Sequence, residues 1–151
     1  MTRIIDYRYD ECGLDNVILK DFRIVTDDAG EEVVMIPNIG LLHRVLARAV
    51  ASKESGLQPK EIRFLRTELG MTQAELAAIV GRDTQTIGRW ERGESPVEQT
   101  AEMVIRKHAL EHAEGDDGLT MEALSRLTVQ SATNKPFLID ASDPAHYKIA
   151  A

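Results

Sequence analysis

Two hydrophobic periods divide the chain. In residues 1–37 the pattern is that of strands: Ile5, Tyr7 and Tyr9 alternate with Asp6 and Arg8, the run from Val17 to Thr26 is β-branched and apolar, and Glu32 to Ile36 is a second such run. Asp27-Asp28-Ala29-Gly30 between those runs is turn chemistry, which predicts a hairpin, and Pro37 ends the last strand. From Ile39 the period changes. Leu42, Val45, Leu46, Ala49 and Val50 recur at three- and four-residue steps, which predicts an amphipathic helix ending near Lys53. Asn38 suits its N-cap, and Ser55-Gly56 its end, with Gly56 at the C′ position. Residues 57–113 read as four short helices with tight breaks. Gly115-Asp116-Asp117-Gly118 reads as a loop or linker, Thr120 to Leu127 as a short helix, and Phe137-Leu138-Ile139 as a short strand before a frayed end. The expected fold is α+β, mainly α. Its parts are a strand module (1–37), a linking helix (38–56), a helical domain (57–113) and a C-terminal extension (114–151).

The stretch from Leu57 to Ser95 carries the chemistry. Pro59 lies in the first turn of a helix whose buried face is Ile62, Leu65 and Leu69, and Gly70 stops it. Thr72, with Glu75 three residues on, forms a capping-box pattern for a second helix that ends at Gly81. After only Gly81-Arg82, Asp83 caps a third helix, Thr84 to Arg92. Gly93 ends it, and Pro96 is placed to open a fourth. A steep crossing through so short a turn needs small residues. Ala77 leaves the gap, and Gly81 takes positive φ at low cost. Leu76, Val80, Ile87 and Trp90 then face one small core. Thr84, Gln85, Thr86, Gly88 and Arg89 remain on the outward side of the third helix. Uncharged hydrogen-bonding groups with one arginine suit the DNA major groove, where amides and guanidinium groups meet base edges bidentately.

Thr72-Gln73-Ala74-Glu75-Leu76-Ala77, Gly81, Gln85-Thr86-Ile87 and Arg89-Trp90-Glu91-Arg92-Gly93 together resemble the Cro/phage-repressor-type (XRE) helix-turn-helix. The resemblance is close over about 40 residues and implies a domain of four or five helices. One departure is Arg82, where that family usually has an apolar residue. The layout of strand unit, linking helix and helix-turn-helix is also similar to MqsA-like antitoxins. In that group the N-terminal module binds zinc through two cysteine pairs. Here only Cys12-Gly13 remains, so the zinc site is absent.

On this reading Thr84, Gln85 and Arg89 contact bases. Gln73, at the start of the second helix, holds a backbone phosphate, with Thr86, Arg82 and Arg92 as further backbone contacts. Trp90 falls on the buried face and reads as core rather than as a stacking platform. Glu91 reads as a polar contact at the helix end with neighbouring basic residues rather than as a catalytic acid. His108 and His112 stand at i, i+4, a spacing that suits two metal ligands, but no third ligand lies nearby in sequence. His43 and His146 are lone histidines. Cys12 sits beside Asp10 and Glu11, which disfavours its thiolate. No catalytic residues, metal or cofactor are expected.

Composition refines this picture. With 151 residues, 43% of them hydrophobic, the chain has enough apolar content for a packed core. One cysteine allows no internal disulfide. Charges in Met1 to Asp6 stand where a signal peptide has its apolar core, and no stretch approaches the roughly 20 apolar residues of a membrane span. A cytoplasmic protein is expected. The net charge of -7 is unevenly spread: seven basic and ten acidic residues in 1–56, six and five in 57–93, five and ten in 94–151. The acidity therefore lies outside the DNA-reading segment. The expected function is a sequence-specific regulator of transcription, a repressor that reads a near-palindromic operator in double-stranded DNA as a homodimer. The dimer surface is expected on the fourth helix, where Ala101, Val104, Ile105 and Ala109 make a narrow apolar stripe, part of which must also cover the helix-turn-helix core. The alternative is an antitoxin whose acidic flanks cover a basic toxin and which autoregulates its operon.

Overall fold

The computed structural model describes residues 2–113, 121–127 and 135–150. The fold is mixed α+β, with six helices and five strands among the described residues. Contacts group the chain into two compact units, one of Met1–Leu46 with Lys135–Ala151, the other Ala47–Asn134. No helix among the described residues is long and apolar enough to cross a membrane. The loop expected at Gly115 to Gly118 lies outside the described residues.

The first unit is built on one sheet, ordered β1 (Thr2–Arg8), β2 (Val17–Thr26), β4 (Phe137–Asp140), β5 (Lys148–Ile149), with β3 (Glu32–Val33) also paired to β2. β2 is central. Its buried residues change phase midway: Val17 and Leu19, then Phe22 and Ile24. A strand shows one face every second residue, so this slip requires an extra residue. The register supplies it, with Ile5 opposite Phe22 but Tyr7 opposite Leu19. Asp21 occupies the bulge with φ of 56°, and Tyr7 stacks on Phe22 at 5.2 Å between ring centroids. The hairpin between β2 and β3 is present, its turn held by Asp27, whose carboxylate accepts from the N–H groups of Ala29 and Glu31. β3 is shorter than the expected run to Ile36. Residues 34–36 leave the sheet towards Pro37-Asn38, whose position is fixed by Tyr147, donating to the Pro37 carbonyl at 2.6 Å.

The strand expected at Phe137 to Ile139 pairs in parallel with β2, Val17 opposite Phe137 and Leu19 opposite Ile139. The end beyond it is not frayed: β5 pairs antiparallel with β4, and Ile139 is fully buried.

α1 (Ile39–Ala51) follows, and both of its expected caps differ. Asn38 has φ of 54°, and its side chain donates to the Pro144 carbonyl rather than capping the helix. The helix stops at Ala51, and Gly56 does not take a left-handed conformation. Arg106 does the work assigned to Gly56. Its fully buried guanidinium donates to the carbonyls of Ala51 (3.3 Å), Lys53 (2.7 Å) and Ser55, and pairs with buried Glu102 at 3.0 Å. One side chain thus satisfies the last carbonyl of the helix, that of Ala51, and two carbonyls of the loop that follows it. Lys53 in turn pairs with buried Glu61 at 2.7 Å.

The rest of the second unit comprises α2 (Pro59–Glu68), α3 (Gln73–Val80), α4 (Thr84–Glu91), α5 (Gln99–His112) and α6 (Met121–Leu127). Their core contains Ile62, Phe64, Leu65, Leu76, Ala77, Ile87, Trp90, Ile105 and Leu110, while Leu69 and Val80 are half-buried. α5 starts at Gln99, three residues after Pro96, with Glu98 at its N-cap. The expected dimer stripe is mostly core: Ala101, Ile105 and Ala109 are buried, and only Val104 remains partly exposed. Four apolar residues at helical spacing cannot serve both a small domain's core and an outer surface, and the core takes three of them here.

Removing one member of the Arg106–Glu102 pair strands a buried charge. Arg106→Met should therefore lower unfolding stability by about 3–5 kcal/mol, and Arg106→Met with Glu102→Leu by less than the two single losses summed. Urea denaturation of the three variants checks this.

Candidate nucleic-acid interface

α3 and α4 are both eight residues long and are set by local chemistry at every end. Thr72 accepts from the Glu75 N–H while Glu75 accepts from the Thr72 N–H, each at 3.1 Å. This closes the capping box expected there. Gly81 takes φ of 70° and Arg82 N–H reaches back to the Ala77 carbonyl at 2.9 Å, so the chain turns without a bulky residue in the left-handed position. Asp83 then caps α4, its carboxylate accepting from the Thr86 N–H (2.8 Å) and hydroxyl (2.7 Å). Those two donors, the hydroxyl first, hold the Asp83 carboxyl below the usual carboxylate range. Gly93, with φ of 74°, ends the helix, and the Glu94 N–H bonds to the Arg89 carbonyl.

The buried side of α4 is Ile87 and Trp90, at 0% and 2% exposure. Thr84, Gln85 and Arg89 are exposed, and among the described residues none of their side chains makes a hydrogen bond. Gly88, expected on the outward side, is buried. The Arg92 guanidinium lies across it, so near that a Cβ on Gly88 would meet Arg92 Nη1 at 2.9 Å.

The four residues assigned to backbone contacts are all engaged inside the protein. The Gln73 amide donates to Glu91 at 3.2 Å. The Thr86 hydroxyl is held by Asp83. Arg82 makes a two-pronged ion pair with Glu98, and Arg92 one with Glu94 at 3.0 and 3.1 Å. Both pairs are solvent-exposed. Arg82 thus extends outward, and its charge is met there by Glu98.

Glu91 has a larger structural part than a generic helix-end contact. Nearly buried, it binds Arg66 through both oxygens, at 2.6 and 3.0 Å, and Arg66 also donates to the Met71 carbonyl at 2.9 Å. The ends of α2, α3 and α4 are thereby tied at one point. Around that point a cavity of about 280 Å³ is lined by Arg63, Arg66, Gln73, Gly88, Glu91 and Arg92. Three arginines against one carboxylate make an anion seat. Sequence reasoning missed Arg63 and Arg66, which sit on a helix read only for its apolar face. Three cations converging on the N-terminus of α3 is a tertiary fact that spacing along one helix does not reveal.

His108 lines a separate groove with Ile79, Val104, Lys107 and Glu111. Among the described residues no three histidine, cysteine or acidic side chains are grouped to hold a metal ion.

A sequence model of the helix-turn-helix family matches residues 62–106, the span from α2 into α5. No curated protein and no solved structure was found to match the chain. The capped helix pair, its left-handed glycine turn and this match agree. Residues 62–106 of the chain are a DNA-binding helix-turn-helix domain of the Cro/phage-repressor (XRE) type.

The Asp83 cap gives a pH signature. Its lowered folded-state pKa contributes stability that is full above the ordinary aspartate range and is lost as pH falls through the lowered value. Asp83→Ala should lower the melting temperature at neutral pH, with the difference from wild type closing as the solution is acidified. Asp83→Asn, an equally good cap, should keep most of the stability and lose that pH dependence. Thermal melts across the acid range check both.

Proposed function

We propose that the protein represses transcription by binding a near-palindromic operator as a homodimer, with α4 in the major groove. Thr84, Gln85 and Arg89 read base edges. The observation that carries this reading is their state: three polar side chains, exposed and without hydrogen bonds of their own, on a helix whose opposite face is core. The arginine seat beside α3 takes a backbone phosphate, which fixes the register of α4 on the duplex. Gln73 and Arg92 line that seat, and Arg63 and Arg66 join them. One recognition helix reads few base pairs, so two copies about 34 Å apart on successive grooves supply the specificity. With Ala101, Ile105 and Ala109 in the core, the dimer contact belongs to another surface.

Selection of bound duplexes from a random pool, followed by titration of Arg89→Ala on the selected site, tests the assignment. Wild type should enrich a sequence with two related half-sites. The variant should lose about 1–3 kcal/mol of discrimination at the base pair that Arg89 reads. Unchanged affinity and preference would sink the role of Arg89.

A second reading is an antitoxin that also controls its own operon. The excess of five acidic residues in 94–151 favours it, because an acidic surface suits a basic toxin. Under this reading, co-expression with the product of an adjoining small basic reading frame yields a complex stable to gel filtration. Two proteins that elute separately would count against it.

A further inference from the structure

We infer that Glu94 competes with DNA phosphate for Arg92 and so holds down the sequence-independent affinity of the protein. This inference rests on the DNA-binding reading above. Arg92 lines the anion seat with Arg63 and Arg66. It reaches that place by folding back over Gly88, the one position on α4 without a side chain to obstruct it. There its guanidinium is met by the carboxylate of Glu94, two residues on, in a fork-to-fork pair at 3.0 and 3.1 Å. A carboxylate in that geometry presents two oxygens to the guanidinium much as a phosphate does. Arg92 holds the Glu94 carboxyl below its usual range, so it stays ionised at neutral pH.

The local balance makes the effect consequential. The seat has three arginines and Glu91, and Glu91 is already spent on Arg66 and Gln73. Glu94 neutralises a second of the three cations. A phosphate arriving at the seat must displace Glu94, and the pair is exposed, so the exchange needs no unfolding. Contacts to phosphate carry no sequence information. Weakening one of them lowers binding to every duplex and leaves the base edges to decide where the protein stays.

A double-mutant cycle tests this, read by fluorescence anisotropy on the selected duplex and on a scrambled duplex of equal length, over a series of salt concentrations. Glu94→Gln should tighten binding to the scrambled duplex about two- to fivefold at low salt. It should also steepen the slope of log affinity against log salt by up to about 0.9. Glu111→Gln, which removes an equal charge from α5, should give no such gain. In an Arg92→Ala background the gain from Glu94→Gln should vanish. Unchanged affinity in Glu94→Gln, an equal gain from Glu111→Gln, or a gain that persists without Arg92 would each overturn the inference while leaving the DNA-binding reading intact. A wild-type protein that binds neither duplex would overturn that reading, and this inference with it.

Discussion

An eight-residue helix does not hold itself together in water, since isolated helices shorter than about 12–15 residues are marginal. α4, the helix proposed to read DNA, has eight residues, one of them glycine. Its shape is therefore imposed by what surrounds it. Ile87 and Trp90 bury one side, Asp83 satisfies the first turn, and Gly93 lets the last turn close. Glu91 ties its final residue to Arg66 on α2 and Gln73 on α3. The same dependence explains why the exposed residues are free to be functional. The side chains of Thr84, Gln85 and Arg89 contribute no hydrogen bonds to the fold, so their identities are open to selection for a ligand.

Charge follows the same division between inside and rim. The charged groups with the deepest burial, Arg106, Glu102 and Glu61, stabilise the junction between α1 and α2. Two pairs that flank α4, Arg82 with Glu98 and Arg92 with Glu94, are instead exposed. Exposed pairs contribute little to stability. Their main effect is on the field that an incoming polyanion meets. A net charge of -7 therefore does not describe the surface around α4, and neither does the bare count of arginines there.

The parts of the fold legible in the sequence are those fixed by local chemistry. Thr72 with Glu75, Gly81, Asp83 and Gly93 stand at the ends where the spacing puts them, and Leu76, Ile87 and Trp90 are core as the period requires. What the sequence hid depends on residues far apart in it. Gly56 looked like a helix stop because the alternative, an arginine 50 residues on, cannot be found by local pattern. Ala101, Ile105 and Ala109 looked like an outer stripe because periodicity marks an apolar face without naming its partner. Gln73, Arg82 and Arg92 were legible as polar residues near a recognition helix, but their carboxylate partners became visible only in three dimensions. The phase slip in β2 was likewise masked, since a continuous apolar run shows no alternation to break.

The parallel pairing of β2 with β4 gives the chain its logic. Parallel strands need a crossover of a dozen residues or more, commonly a single helix. Here everything from Ala47 to Asn134 lies within the connection, including all of α2 to α6. The helix-turn-helix unit is thus an insertion within the sheet unit, tethered to it by both of its ends. A domain joined by one linker leaves the rest of the protein indifferent to its loss. A domain that is itself the crossover does not, because cutting the chain within it separates β4 from β2 and turns a strand pair held within one chain into an association between fragments. β4 supplies Phe137 and Ile139 to the core of the sheet unit, so the integrity of that unit is coupled through the covalent chain to the segment that carries the helix-turn-helix.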